Sequence, residues 1–268
     1  MQSILAIDPA WTSGKPSGIA LLRGAGRDWA CIALAPSYAQ FVALAEGTPI
    51  DWSTTPRGEW PGAVGLLNAA GQLTNGASVD LVTIDMPVAT SEITGRRVAD
   101  AAISRAFGGR GCSTHSPSAT RPGAIGAALT AEFAELGYPL ATSVTPKGTT
   151  QSLVEVYPHP ALLELLGAEY RVPYKVDRAG KYWPNLTPSE RRRKVVQTWR
   201  DIVTAVEMTI SGADLPLPSP EAADTVGNSR LKRFEDALDA LICGWIGIQY
   251  LLGLCTPHGD ETTAIWTP

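Results

Sequence analysis

The run Asp80-Leu81-Val82-Thr83-Ile84-Asp85 constrains the fold more than any other segment. A continuous apolar, β-branched stretch between turn signals suits a strand covered on both faces, so the chain must supply a layer on each side of it. Ser3–Asp8 also reads as a buried strand. The turn residues Thr12 to Gly18 then lead to Ile19-Ala20-Leu21-Leu22, which makes the pair a β-hairpin. Trp29–Leu34 is a third strand, and Ser152–Tyr157 a later one closed by Pro158-His159-Pro160.

Helical patterns fill the intervals. They cover Tyr38–Ala45, Gly62–Leu73, Gly95–Phe107 with Thr94 as cap and Gly108-Gly109 as stop, Gly123–Leu136, a short helix to Leu166, and a charged helix Pro188–Met208. The last helix, Leu231–Leu252, carries Phe234, Leu238, Leu241, Trp245, Ile248 and Leu252 at helical spacing and is apolar on most sides beyond Asp239. Gly47–Pro61, Tyr170–Pro188 and the proline-rich Leu215–Pro220 read as irregular loops. A hairpin followed by strand-helix alternation predicts an α/β fold. Its mixed sheet has three antiparallel strands first, parallel strands after them, and helices on both faces. No linker divides the chain, so the expectation is a single domain over 1–268 with helical or irregular insertions at about 36–75 and 167–230.

Composition narrows the function classes. Hydrophobic residues make up 44% and charged residues 18% of 268, which suits a folded core rather than a disordered chain. Lysine and arginine number 22 against 26 acids, for a net charge of −4, so any nucleic-acid site must be a local feature. Cys31, Cys112, Cys243 and Cys255 contain no C-x-x-C pair and read as reduced core thiols, which points to a cytoplasmic setting. No basic stretch followed by a long apolar run opens the chain, and Ala240–Leu254 is too short and glycine-interrupted to span a bilayer, so no membrane partner is expected.

Carboxylates emerge from otherwise apolar segments: Asp8, Asp85, Glu155, and Glu235-Asp236-Ala237-Leu238-Asp239. In parallel α/β sheets functional groups gather beyond the carboxyl ends of neighbouring strands, where Asp8 and Asp85 fall. Asp236 and Asp239, three apart, point the same general way from the predicted first turns of the last helix, where the helix dipole favours negative charge. Crowded acids repel and resist burial unless a cation neutralises them, and Mg²⁺ or Mn²⁺ with oxygen ligands is the simplest compensation. A two-metal site of this kind hydrolyses phosphodiesters. Each acid also has a plainer explanation: a turn or N-cap for Asp8 and Asp85, a solvated edge for Glu155, a helix start for Asp236. Asp239, ahead of an all-apolar stretch, is the hardest to place at a surface.

The segments "LAIDPAW…SGIALL", "LVTIDMPV", "RRVADAAISRAFGGRGCSTHSPS", "VEVYPHPALLELLG" and "FEDALDALICGW" resemble, in this order, the DUF429 family of predicted ribonuclease H-like nucleases. The resemblance implies a ribonuclease H-like sheet. In it the first strand's Asp8 meets the fourth strand's Asp85 and an acid of the last helix, Asp239 with Asp236 beside it. That helix resembles the D-x-x-D or H-x-x-D signature of resolvase-like nucleases, whereas Pro9-Ala10-Trp11 departs from the glycine-rich text usual after the first acid. The expected catalytic set is therefore Asp8, Asp85, Asp239, Asp236 and Glu155, with Asp8, Asp85 and Asp239 as metal ligands and DNA or RNA as partner.

Substrate contacts are expected from Lys15, Arg97, Arg105 and His115, the first three steadying phosphate and His115 as a proton shuttle, with His159 near Glu155 as a further histidine of interest. Arg97 and Arg105 lie close in angle on a helical wheel; with Asp100 the pattern itself slightly favours a solvated face, and the resemblance shifts the reading to phosphate binding. The run Arg191-Arg192-Arg193-Lys194, with Lys181, Tyr182, Trp183 and Trp199 nearby, suits either a solvated helix or a groove for single strands. No G-x-S-x-G elbow is present. Two other functions use the same features: an actin-like kinase or ATPase cradling phosphates with Asp8, Thr12, Ser13, Gly14 and Lys15, and a non-catalytic binding protein that keeps the fold. Metal binding separates the last from a nuclease.

Overall fold

Strands β1 (Gln2–Asp8), β2 (Gly18–Ala25) and β3 (Asp28–Ala35) form an antiparallel meander in the computed structural model, which describes residues 1–268 apart from Ser13 and Pro61. Helices α1 (Tyr38–Ala45) and α2 (Gly62–Leu73) follow, then β4 (Leu81–Ile84), α3 (Val98–Phe107), α4 (Ala124–Glu135), β5 (Ser152–Val156) and α5 (Pro158–Leu165). The short α6 (Ala179–Tyr182), the long α7 (Pro188–Glu207), β6 (Ile210–Ser211), α8 (Asn228–Leu251) and the hairpin β7 (Thr256–Gly259) and β8 (Ala264–Thr267) complete the chain. One eight-stranded sheet results, in the order β6-β3-β2-β1-β4-β5-β8-β7. β1, β4, β5 and β8 pair in parallel. Three antiparallel strands followed by parallel ones, with helices on both faces, are the arrangement of the ribonuclease H-like fold.

Side chains alternate across the pleat, and that alternation builds two cores from one strand. Ile4 and Ala6 of β1 face α5, α7 and α8, in a core with Leu162, Trp199 and Leu241. Leu5 and Ile7 face α1, α2 and α4, packing with Phe41, Leu66 and Phe133. α8 lies directly on β1, β2 and β4 because two of its residues lack a side chain there. A Cβ on Gly247 would stand 2.9 Å from Thr83 Cγ2 and 3.0 Å from Ile4 Cγ2, and one on Gly244 would stand 2.5 Å from Leu22 Cδ1. Where β2 begins, a Cβ on Gly18 would fall 1.9 Å from the Asp236 carbonyl oxygen. The backbones of strand and helix therefore touch at the level of the acids.

Several boundaries differ from those read in the sequence. The helix expected from Gly95 starts at Val98, and Thr94 is exposed and caps nothing. Asp100 instead accepts the Arg97 backbone N–H at 2.9 Å, satisfying a donor that the helix start would leave free. Helix α8 begins at Asn228, so Asp236 and Asp239 sit well inside it, where the helix dipole has faded. β6, β7 and β8 escaped the pattern because two- and four-residue strands carry too little alternation to register. β8 matters most: by pairing with β5, Glu155 opposite Ile265, it puts Glu155 in the sheet interior and removes the solvated edge that was the alternative to a ligand role. No described helix is long and apolar enough to cross a membrane.

The three arginines of the α7 basic run are engaged in structural contacts, and Lys194 is exposed. Arg191 donates to the carbonyls of Trp183 and Pro184, Arg192 to those of Ala223 and Asp224, and Arg193 pairs with the Asp224 carboxylate. Trp199 is fully buried and donates to the Tyr174 carbonyl at 2.8 Å.

Replacing Gly18 by alanine should force β2 off α8 and destabilise the protein by about 1–3 kcal/mol or more, the usual penalty for overpacking. Gly71→Ala, where a Cβ meets nothing within 4 Å inside α2, should stabilise by about 0.5–1 kcal/mol. Urea denaturation of the two variants checks both signs.

Candidate functional site

β1 ends in Asp8 and β4 is followed directly by Asp85. The Ile7–Ile84 pairing and a 3.0 Å hydrogen bond from the Asp85 N–H to the Ile7 carbonyl place the two acids side by side across parallel strands. α8, held against these strands by its glycines, presents Asp236 and Asp239 from one face. One carboxylate oxygen from each of Asp8, Asp236 and Asp239 lies within 4.8 Å of the others. Asp239 is fully buried and Asp236 only 6% exposed. The tight trio thus includes Asp236, while Asp85 stands beside it as a fourth carboxylate within electrostatic reach of Asp239.

Two lysines enter this acidic cluster. Lys175 Nζ contacts the Asp239 carboxylate and lies 3.6 Å from Glu235 Oε1. Lys232 Nζ bridges Glu235 Oε1 at 2.7 Å and Asp236 Oδ1 at 2.5 Å. Tyr174 donates its hydroxyl to Asp239 Oδ1 at 2.6 Å, and the Val176 N–H donates to Glu235 Oε2 at 2.6 Å. The expected irregular segment from Tyr170 to Pro188 therefore delivers Tyr174, Lys175 and Val176 to the site, and no periodic signal could have marked them. Lys232 was findable, since Lys232, Glu235 and Asp236 stand at the i, i+3 and i, i+4 spacings that pair on a helix.

Burial and crowding set the charge states. Burial, and then the charge of Asp239, push Asp8 well above the usual carboxylate range. Burial lifts Asp85 to about 8, with Lys175 opposing and Asp239 and Glu155 adding to the rise. Asp236 is raised by burial to about 6, against the pull of Lys232. Burial also acts to raise Glu235, but Lys175 and Lys232 outweigh it and hold Glu235 below its ordinary value. Lys175 is held well above the usual lysine range: burial opposes its charge, but Asp239, Glu235 and Asp8 surround it. Five acids share two lysines, so negative charge remains uncompensated.

The other expected residues lie outside the trio, although Glu155, paired across the sheet with Ile84, is near enough to Asp85 to raise it. Glu155, 3% exposed, binds both terminal nitrogens of Arg97 at 2.6 Å and accepts the Val88 N–H at 3.2 Å. Arg97 pairs again with buried Asp100 at 2.9 Å, so it is the centre of a closed ion-pair triad rather than a free phosphate ligand. Arg105 is exposed on α3, away from Arg97, which precedes the helix instead of sharing a face with it. Lys15 is exposed and lines an apolar cavity of about 210 Å³ with Pro9, Ser17, Tyr38 and Trp60. Thr12 and Gly14 are exposed beside it, and Ser13 of the same loop lies outside the described residues. His115 is exposed, with Nε2 3.3 Å from an Arg178 terminal nitrogen.

A family model described as "Protein of unknown function (DUF429)" matches residues 24–264. The chain belongs to the DUF429 family. The match takes in Asp85, Lys175, Lys232, Asp236 and Asp239 and begins after Asp8. No curated protein and no solved structure matches the chain.

The raised carboxylates give a testable pH dependence. A carboxyl held above its unfolded value of about 3.9 keeps a proton that unfolding releases, so its contribution is intact below about pH 4 and fades as pH rises through the folded value. With Asp236 raised to about 6 and Asp85 to about 8, the DUF429 protein in EDTA should lose thermal stability steadily from about pH 5 to about pH 8.5. Asp85→Asn should flatten the upper half of that slope. Parallel slopes in the two proteins would show that Asp85 is not protonated in the fold.

Proposed function

We propose that the protein is a metal-dependent nuclease, hydrolysing phosphodiester bonds of DNA or RNA at the cluster of Asp8, Asp236 and Asp239 with Asp85 beside it. The observation that carries this reading is the convergence of three carboxylates within 4.8 Å at the carboxyl end of β1. The donor set fits Mg²⁺ or Mn²⁺: all ligands are hard carboxylate oxygens, and metal–oxygen bonds of about 2.0–2.1 Å need only small closing movements from the present spacing. A divalent pair bound there would supply an activated water and charge to steady the leaving oxygen.

The chain's own residues do the rest. Asp8, Asp236 and Asp239 would hold the cation, with Asp85 on the neighbouring strand available as a further carboxylate. Tyr174, donating to Asp239 Oδ1, fixes the rotation of that carboxylate and leaves its other oxygen to Lys175. Lys175 has a side chain 20% exposed, so it can leave Asp239 toward solvent and substrate when a cation takes its place. The burial that raises Asp8 and Asp85 makes their ionised forms depend on that cation, so metal binding releases protons and strengthens with rising pH.

One observation favours a second function. Lys175 and Lys232 already pair with the acids as a metal would, which suits a non-catalytic ribonuclease H-like binding protein whose cluster is neutralised internally. Calorimetric titration with Mn²⁺ separates the two. A nuclease should bind Mn²⁺ and cleave single- or double-stranded DNA or RNA, with Asp8→Asn and Asp239→Asn each lowering cleavage about a hundredfold or more, the several kcal/mol of metal charge stabilisation. Equal residual cleavage by the wild type and both variants would overturn the mechanism, and heat-silent titration would favour the internally neutralised protein.

A further inference from the structure

The segment 171–178 touches the acidic cluster with its middle and carries an arginine at each end. Arg171 donates a terminal N–H to His159 Nε2 at 2.6 Å and another to the Gly111 carbonyl at 3.3 Å. Arg178 lies against His115 Nε2 at 3.3 Å. Arginine cannot accept a hydrogen bond, so both imidazoles present an unprotonated Nε2 to it. Burial first, and the surrounding arginines and Lys175 second, keep His159 well below and His115 below the usual histidine value.

What these groups lack is an acid. Among the described residues no carboxylate forms an ion pair with Arg171 or Arg178, in contrast to Arg97 and Arg193. Among the described residues, Arg171 Nε and His159 Nδ1 find no hydrogen-bond partner, and both atoms are buried, with His159 only 5% exposed. Buried donors without partners are costly, and clustered cations without a counter-charge more so. The site is firmly built nonetheless. The His159 ring packs between Tyr157 and Tyr174 with centroids 5.4 and 5.2 Å away, and the Tyr157 hydroxyl donates to the Ser113 carbonyl at 3.0 Å, holding the loop that carries His115.

We propose that Arg171, Arg178 and His115 form an anion site for a phosphoryl group, adjoining the acidic cluster through Tyr174 and Lys175. In the nuclease reading, on which the polynucleotide part of this inference rests, the group is a backbone phosphate flanking the one cleaved. The Arg178 guanidinium matches phosphate oxygens bidentately, Arg171, whose terminal nitrogens hold His159 and the Gly111 carbonyl, adds positive charge behind it, and His115 adds a short-range donor through Nδ1. The arrangement also suits a chain of net charge −4 that admits a polyanion, because positive charge is gathered locally at this wall.

The test uses the full chain in EDTA, so that cleavage plays no part. Inorganic phosphate and a short oligothymidylate are titrated against wild type, Arg178→Gln, His115→Gln and Arg193→Gln at low salt. Arg178→Gln and His115→Gln each change a partly or fully exposed side chain, so the fold should survive, which circular dichroism checks. Each should weaken phosphate binding about fivefold or more. Arg178→Gln should also weaken the oligonucleotide about tenfold and reduce the slope of log K against log salt by about one. Arg193→Gln, whose guanidinium is already paired, should change neither. Phosphate affinity equal in wild type, Arg178→Gln and His115→Gln would overturn the site. Phosphate binding that depends on both residues, with oligonucleotide binding that depends on neither, would keep the anion site, assign it to a free phosphate or phosphomonoester, and remove the polynucleotide part alone.

Discussion

Everything at the acidic cluster depends on how closely α8 approaches β1 and β2. Three glycines set that distance: Gly18 at the start of β2 faces the Asp236 carbonyl, and Gly244 and Gly247 let Leu22, Ala6, Thr83 and Ile4 press against the helix backbone. A larger residue at any of them would lift the helix by about the width of a methyl group. Oxygens now within 4.8 Å would then stand too far apart for one cation with bonds of about 2 Å. The packing of the core and the geometry of the site are thus one constraint, and Thr83 ties them further by donating its hydroxyl to the Cys243 carbonyl at 3.1 Å.

That approach carries an electrostatic cost, and the chain offsets only part of it. Lys175 and Lys232 pair with Asp239, Glu235 and Asp236, while burial and the charge of Asp239 drive Asp8 and Asp85 toward their protonated forms against the opposing pull of Lys175. A core built for stability alone would replace such acids with apolar residues of similar volume, at little loss. Two strand ends whose buried carboxyls ionise only at a cost therefore speak for a site that awaits a cation. The wall around Arg171 and Arg178 carries the opposite surplus, and the segment from Tyr174 to Val176 separates the two.

How much of this was legible in the sequence follows from which residues had periodic surroundings. β1, β4 and α8 were visible as apolar runs, and with them Asp8, Asp85, Asp236 and Asp239, because an acid inside or at the end of such a run is conspicuous. α1 and α2 were read to the residue. Arg171, Tyr174 and Lys175 lie in a segment without regular structure and Arg178 ends a single 3-10 turn (Val176–Arg178), so neither period 2 nor period 3.6 operates, and only tertiary packing on α5 and α8 brings them to the site. Glu155 illustrates the opposite error. Its place between Val154 and Val156 marked it as unusual, but which buried partner it meets depended on Arg97, 58 residues away in sequence.

That partner gives Glu155 a part to play without placing it among the metal ligands. Its carboxylate gathers Arg97 and the Val88 N–H, Arg97 in turn gathers the Val88 carbonyl and Asp100, and the Asp100 carbonyl accepts the Thr114 hydroxyl at 3.2 Å. The loop after β4, the start of α3 and the loop bearing His115 are thereby locked to β5 through one guanidinium. Removing either acid would leave a buried charge poorly compensated, the costly way to break such a pair. The triad fixes, from beneath, the loop on which the His115 side of the anion wall stands, just as the three glycines fix the acids. Both halves of the site are therefore anchored to the same four central strands, and their spacing is set by the sheet rather than by the loops that carry the exposed residues.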